Sequence, residues 1–199
     1  MSTGIGCEAC LTTTVSSTGI TMAFQPIAGV VQQTVFAHEA LLRGTDGRSA
    51  SEVLAAAGEN LYSLVQACMA IAIKWAAALK VPALLSIKFM PNAVYNPLNC
   101  LRATVAAAER VDGPLSLIIF EVTEQEKMVD EAHVLSILKA YRAKGLLTAI
   151  DDFGAGYSGL SLLAEFQPHF LKLDLALIKD IGTSRTRQAL VRHTVLLCE

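Results

Sequence analysis

A chain of 199 residues is long enough for one sizeable domain and too short for two comfortable ones. Its formal net charge is −2 and it has no basic run, which argues against a surface that binds nucleic acid or another polyanion. Apolar residues make up 53% and charged residues only 17%, below the roughly 25% of an average soluble domain. Either the core is unusually large or another molecule covers part of the surface.

The N-terminal segment 1–18 is rich in Ser, Thr and Gly, and we expect a flexible leader followed by one domain over residues 19–199. The leader lacks the positively charged start and apolar stretch of a signal peptide. The apolar run ACMAIAI ends at Lys74, so the sequence predicts no membrane-spanning segment. We therefore expect a cytoplasmic protein without membrane insertion and with free thiols. Cys7 and Cys10 form an isolated C-x-x-C pair, whose role as a metal half-site, a redox pair or two plain thiols stays open.

The segments after the leader alternate between strand and helix. Two segments separated by a short turn predict a strand pair, because both contain β-branched residues and alternate in apolar and polar character: ITMAFQPIAGVV and TVFAHEALLR. A helical stretch begins in SASEVLAAAG, with Ser51 as the expected N-cap beside Glu52. It continues through NLYSLVQACMAIAIKWAAALK. The remaining strand–helix pairs are, in order, ALLSIKFM and LNCLRATVAAAER, LSLIIFEV and DEAHVLSILKAYRAKG, LLTAID and SGLSLLAEF, and HFLKLD with the helical tail from Ser184 to Glu199.

Strands of almost continuous apolar character that alternate with helices predict a parallel α/β sheet buried on both faces. An open doubly wound sheet and a closed eight-stranded barrel both fit this rhythm. Five strands carry an ionisable residue at or near their C-terminal ends: Glu39, Lys88, Glu121, Asp151 and Lys172. Barrel enzymes build their sites from that face with one residue from each of several strands, whereas an open sheet gathers its site at one crevice. The pattern favours the barrel.

Three of these residues are carboxylates, and Asp152 adds a fourth. Mg²⁺ and Mn²⁺ prefer oxygen ligands, and paired ions can bind both the attacking and the leaving oxygen of a phosphodiester. The alternative is that each carboxylate caps a helix or pairs with a surface lysine. Four carboxylates at adjacent strand ends favour a metal site.

The segments FQPI, HEALLRG, FEVTE, IDDFGAGYSGLSLL and LKLD, in this order, resemble the EAL-domain family. The resemblance runs from about Phe24 to the end of the chain. It implies a TIM-type (β/α) barrel, and the activity of phosphodiesterases that hydrolyse cyclic di-GMP to linear pGpG in bacterial signalling. The segments FMPNAVYNP and AEFQPHFLKLD are similar to those in the branch of EAL domains joined to sensory modules.

The resemblance also implies roles for individual residues. Lys172 matches the lysine that orients the attacking water and the phosphate, and with Asp152 and Glu39 it forms the expected catalytic set. The expected ligands of Mg²⁺ or Mn²⁺ are Glu39, Glu121, Asp151 and Asp152.

Three more positions match residues expected to contact the nucleotide: Gln25, Arg43 and Asp174. Glu124 matches a glutamate that stabilises the loop 152–160, which in this family couples dimerisation to the metal site.

The glycines of that loop also form G-x-G-x-x-G between a strand and a helix, the outline of a dinucleotide-binding motif: Gly154, Gly156 and Gly159. Asp151 and Asp152 directly precede the glycines and would repel a pyrophosphate there. A tight turn is the third interpretation, and it agrees with the EAL resemblance.

Lys88 departs from the family, which usually has an asparagine at this position. A protonated lysine has no acceptor atom and cannot replace a neutral oxygen ligand. Its ammonium can instead replace the metal among Glu39, Glu121 and Asp151, which makes metal binding by this chain doubtful. The alternative is that the long stem carries the ammonium to solvent.

Only six of the eight strands of such a barrel are predicted, so we expect a domain that is incomplete at its C-terminus. The chain is then a degenerate or incomplete member of cyclic di-GMP signalling, inactive or weakly active. The alternative is a non-catalytic EAL-like module that binds cyclic di-GMP or a protein partner. Unpaired edges of the first and sixth strands predict a homodimer or larger assembly.

Overall fold

The computed structural model describes residues 19–90, 97–123, 131–156 and 159–198, and these contain a six-stranded sheet. The first two strands are antiparallel and each later pair is parallel. The spatial order follows the chain order, without the reversal that creates the crevice of a doubly wound sheet. The order is therefore that of a barrel wall. The strands are β1 (Ile20–Gly29), β2 (Thr34–Gly44), β3 (Leu84–Phe89), β4 (Ile118–Thr123), β5 (Leu147–Phe153) and β6 (Phe170–Leu173).

Helices connect the parallel strands, as the alternating pattern predicted. In the described ranges, two short 3₁₀ turns lie between them, Gly58–Asn60 and Leu115–Leu117. The α-helices are α1 (Ala50–Ala57), α2 (Leu61–Ala78), α3 (Pro97–Glu109), α4 (Glu131–Ala143), α5 (Gly159–Glu165), α6 (Leu175–Ile178) and α7 (Arg185–Leu197).

The N-cap of α1 lies two residues before the predicted one. Ser49, and not Ser51, is the N-cap: its hydroxyl accepts from the backbone N–H of Glu52, and the Glu52 carboxylate accepts from the N–H of Ser49. The spacing of three residues between cap and glutamate is that of a capping box. Ser51 is too close to Glu52 to form one, so the expectation for Ser51 was wrong.

Alternation along the strands separates two apolar regions. One set of side chains, which includes Ile87, Phe120 and Ile150, packs under the helices in the main core. The opposite set begins with a small apolar cluster of Ala37, Ile119 and Ala149. Because residues two apart share a face of a strand, the next residues on the second set are Glu39, Glu121 and Asp151. The ionisable residues therefore lie on the concave face of the sheet, above an apolar floor.

The sheet curves enough for its distant strands to touch. The rings of Phe36 on β2 and Phe170 on β6 have centroids 5.2 Å apart. Higher on the same face, Lys172 Nζ of β6 lies 3.2 Å from Glu39 Oε2 of β2. A flat sheet would keep these strands about four strand spacings of 4.8 Å apart. The curvature brings the ionisable residues of β2 to β6 into one cluster.

One apolar helical stretch has the length and composition of a membrane-spanning helix, although the sequence predicted no such segment. Ala50–Ala78 comprises 29 residues and contains an 18-residue window with a mean hydropathy of 1.4, which meets the requirement by length and composition alone. The 3₁₀ turn at Gly58–Asn60 divides it into α1 and α2, and α2 packs against α3, β1 and β3. An apolar core helix meets the same requirement, so the absence of membrane insertion stays a prediction.

Gly154, directly after β5, allows a test of how tightly the site loop packs. Its φ is +95°, and an added Cβ would collide with the Leu177 side chain of α6, whereas Gly47 has φ +91° and open space around it. Gly154→Ala should therefore lower the free energy of unfolding by about 1–3 kcal/mol, and Gly47→Ala by about 1 kcal/mol from backbone strain alone. Denaturant unfolding of both variants measures the difference. Equal losses would contradict the expected packing against Leu177.

Candidate active site

Strand register places the predicted site residues side by side. Glu39 of β2 is the register partner of Ser86 on β3, and Lys88 of β3 is the partner of Glu121 on β4. Asp151 of β5 lies two residues further along, opposite Thr123 of β4. Since parallel strands expose their carboxyl ends at the same edge, these residues meet at one end of the concave face.

Three carboxylates form the centre of the cluster, which we call the carboxylate triad: Glu39, Glu121 and Asp151. One oxygen of each lies within 4.8 Å of the others, a spacing that could hold a metal ion. The side chain of Glu121 is 1% exposed and that of Asp151 is 8% exposed. Lys172 contacts all three, with Nζ at 3.2 Å from Glu39, 2.9 Å from Glu121 and 3.1 Å from Asp151. An ammonium thus compensates a largely buried group of negative charges.

Lys88 joins the same cluster from β3, and of the three expected carboxylates it forms an ion pair with Asp151. Its Nζ lies 2.8 Å from Asp151 Oδ2 and 3.6 Å from Asp152 Oδ2. Its neighbours Ile87 and Phe89 are buried in the helix-covered core, so alternation points the lysine to the concave face. Glu39 and Glu121 have their ion pairs with Lys172 instead. With 41% of its side chain exposed, Lys88 lies at the mouth of the cluster.

Asp152 reaches the site because the end of β5 is irregular. Adjacent residues of a regular strand point to opposite faces. Here the register with β6 shifts between Ile150 and Phe153, and Asp152 has a left-handed φ of +55°. Bulges of this kind redirect side chains near functional sites. Asp152 Oδ2 accepts a hydrogen bond of 2.9 Å from the Thr123 hydroxyl and faces Lys88.

The charges of the cluster are coupled. Burial raises the pKa of Glu121, although Lys172 and the Ser86 hydroxyl act against it. Burial would also raise the pKa of Asp151, but Lys88 and Lys172 outweigh it and hold this pKa below its usual value. For the two lysines, burial favours the neutral form, yet the neighbouring carboxylates raise the pKa of each. Both lysines are therefore ammonium ions at neutral pH.

Two hydroxyl residues of the site were not among the predicted residues. Ser86 is fully buried and donates a hydrogen bond of 2.5 Å to Glu121 Oε1. Thr123 donates to Asp152. Ser86 precedes Lys88 by two residues and Thr123 follows Glu121 by two, so strand alternation alone could have placed both on the site face.

The other predicted residues lie around the cluster. Gln25 is exposed on β1 opposite Glu39, and Arg43 near the end of β2 donates from Nη1 to the Leu42 carbonyl oxygen at 2.7 Å. Asp174 caps α6, accepting at 2.7 Å from the backbone N–H of Ala176. Glu124 lies outside the described residues, as do Cys7 and Cys10 and the middle of the loop 152–160.

The sequence profile of the EAL domain matches residues 9–199. The chain belongs to the EAL domain family. The expected fold class is confirmed, since solved EAL-domain structures superpose on this sheet over most of its length. The dinucleotide-binding interpretation of the glycine motif has no support in this assignment, and Gly154 with φ +95° makes the turn that follows β5.

Solved structures of EAL proteins resemble the chain closely. A standalone EAL protein from Vibrio cholerae O395, in its c-di-GMP bound form, is 43% identical, with a TM-score of 0.85 over 89% of this chain and 76% of that one. Klebsiella pneumoniae BlrP1, in a manganese and cyclic di-GMP complex, is 35% identical, with a TM-score of 0.85 over 90% of this chain and 46% of that one.

Curated relatives are longer than the chain. The blue light- and temperature-regulated antirepressor BluF of Escherichia coli K12 is 30% identical over 88% of this chain and 44% of its own length. The cyclic di-GMP phosphodiesterase RocR of Pseudomonas aeruginosa is 36% identical over 43% of this chain and 22% of its own length. The chain therefore spans less than half of these relatives.

Ser86→Ala tests the buried hydrogen bond to Glu121. Removal of the hydroxyl leaves one oxygen of a buried carboxylate without its donor, so the free energy of unfolding should fall by about 1–3 kcal/mol. Ser63→Ala, on the exposed side of α2, is the matched control and should change it by less than about 0.5 kcal/mol. Urea unfolding with EDTA present measures both. Equal small losses would show that Ser86 does not support Glu121.

Proposed function

We propose that this chain is a cytoplasmic EAL module that binds cyclic di-GMP at the carboxyl-terminal end of its sheet and hydrolyses it weakly or not at all. The carboxylate triad with Lys172 at its centre is the observation that carries the proposal. Phosphate oxygens are recognised by cations and hydrogen-bond donors at such positions. The similarity to EAL structures with bound cyclic di-GMP supports the same ligand.

The triad fits a divalent cation by the chemistry of its donors. Three carboxylates at one point are suitable ligands for Mg²⁺ or Mn²⁺, and the Lys172 ammonium is a cation in the same position. A bound ion would polarise a phosphoryl oxygen and lower the pKa of a bound water. Among the chain's own residues, Lys172 would orient the phosphate, with Gln25, Arg43 and Asp174 at the nucleotide. Asp152 is the fourth expected metal ligand, but in this chain its carboxylate faces the Lys88 ammonium, and Glu124 would support its loop.

Weak hydrolysis follows from Lys88. Its ammonium contacts Asp151 and Asp152 at a position where the family usually has an asparagine oxygen. A protonated lysine donates but cannot coordinate a metal. Loss of a ligand and gain of a positive charge both act against a catalytic metal site. Binding of a phosphate ester requires only the remaining cationic and polar groups.

A protein partner is the second candidate. BluF is named an antirepressor, and it matches 88% of this chain. An apolar groove of about 820 Å³ beside β6 is lined by residues that include Leu160, Leu163, Phe170 and Leu197. Exposed apolar grooves of this kind often bind other proteins. In this alternative the module acts through contact and not through hydrolysis.

Titration with cyclic di-GMP and an assay for linear pGpG test the proposal together. Calorimetry should show binding by the wild-type chain, and incubation with Mn²⁺ should give little or no product. Arg43→Ala should weaken binding about tenfold or more, because a charge-assisted hydrogen bond contributes about 1.5–3 kcal/mol. Arg110→Ala, at an exposed position after α3, is the control.

Robust turnover would refute weak hydrolysis and leave the binding site in place. Absence of binding by a folded wild-type chain would refute the ligand and favour the protein-partner alternative.

Self-association is a further part of the proposal. Within the described residues, β1 and β6 are the two edges of the sheet, and the groove beside β6 is apolar. We expect a dimer in which a second copy covers this groove. Leu160, 66% exposed, lies in the groove and at the end of the loop 152–160. Leu160→Glu should shift the protein towards monomer in light scattering at tens of micromolar, a rough range for weak association.

Leu79→Glu is the matched control, since Leu79 is 60% exposed and lies outside the groove. A stable wild-type monomer, or an equal effect of the two variants, would contradict the expected interface.

A further inference from the structure

Two ammonium groups form ion pairs with the four carboxylates of the site. Lys172 faces the carboxylate triad, and Lys88 faces the pair Asp151 and Asp152. Asp151 belongs to both groups: its Oδ1 lies 3.1 Å from Lys172 and its Oδ2 lies 2.8 Å from Lys88. Each oxygen of this carboxylate thus has its own cation. A carboxylate in this arrangement bridges two cation positions.

The two positions differ in what they offer to a divalent ion. The triad supplies three carboxylates. The Lys88 position supplies only two, and one of them is Asp151, which is shared with the triad. Asp152 also accepts a hydrogen bond from Thr123. An ion that displaces Lys172 gains three anionic ligands, whereas one that displaces Lys88 gains at most two.

The formal charge of the site also favours a single divalent ion. Four carboxylates and two ammonium groups have a formal sum of −2, which one divalent cation would offset. A second divalent ion at the Asp151–Asp152 pair would lie within a few ångströms of the Lys88 ammonium. Like charges at that distance repel strongly, and the repulsion is only partly screened because Lys88 is less than half exposed.

We propose that the Lys88 ammonium is a built-in cation for the Asp151–Asp152 pair, so that this site takes one divalent ion, at the carboxylate triad, and no second one. The inference rests on the proposed function for the choice of site, but concerns the metal content alone. It makes Lys88 a positioning residue that replaces an exchangeable ion by a fixed one. The single-ion content would explain recognition of a phosphate ester without efficient hydrolysis.

Counting bound Mn²⁺ in the absence of nucleotide tests the inference. Electron paramagnetic resonance of free Mn²⁺, with calorimetry for affinity, should give one bound ion for the wild-type chain. Lys88→Met removes the charge without adding a ligand, and Lys88→Asn also adds an oxygen. Both should raise Mn²⁺ affinity by about tenfold or more, and Lys88→Asn should bind a second ion. Lys80→Asn, at an exposed left-handed position, is the matched control and should match the wild type.

Two ions bound to the wild-type chain would overturn the inference without reference to any variant. So would equal affinity and number for wild type and a folded Lys88→Met, or the absence of any bound Mn²⁺ in wild type. Cyclic di-GMP titration without metal gives a separate readout. If the wild-type chain binds one Mn²⁺ but no cyclic di-GMP, only the proposed ligand is refuted. If it binds two Mn²⁺ and also cyclic di-GMP, only the role of Lys88 is refuted.

Discussion

The arrangement of this domain depends on one constraint, which is that buried carboxylates need cations. Glu121 is 1% exposed on a strand with apolar residues on both sides. An isolated carboxylate in such a place would be strongly destabilising. Lys172 supplies the opposite charge from a strand two positions away in the sheet, and Ser86 supplies a hydrogen bond from the adjacent strand. The ligand chemistry of the site rests on this pairing, and the curvature of the sheet makes the pairing possible by bringing β6 close to β2 and β4.

Two kinds of cation can meet this need: divalent ions that exchange with solvent, and ammonium groups that belong to the chain. A site filled by divalent ions must release its charge compensation whenever the ions leave, whereas an ammonium stays with the chain. Lys88 and Lys172 hold the pKa of Asp151 low by themselves. The two ammonium groups thus offset part of the negative charge of the cluster without a metal ion. This built-in compensation agrees with the proposed function, in which the module binds a ligand or a partner and does not need two metal ions.

The irregular end of β5 shows how a local distortion creates the site. Regular alternation would send Asp152 away from Asp151, yet the shifted register and the left-handed backbone bring both to one ammonium. Gly154 completes the turn and lies against Leu177, so the loop after β5 is packed on α6. The distortion couples the acidic pair to the position of α6.

The sequence by itself determined the strands, the helices and the inward position of Glu39, Glu121, Asp151 and Lys172, because hydrophobic alternation is a local property of the chain. The five motifs determined the family. Alternation could also have indicated Ser86. Only the tertiary structure decided which cation meets which carboxylate, and it assigned Lys88 to the Asp151–Asp152 pair and Lys172 to the triad. These choices depend on sheet curvature and on a bulge, and both arise from the packing of many distant residues.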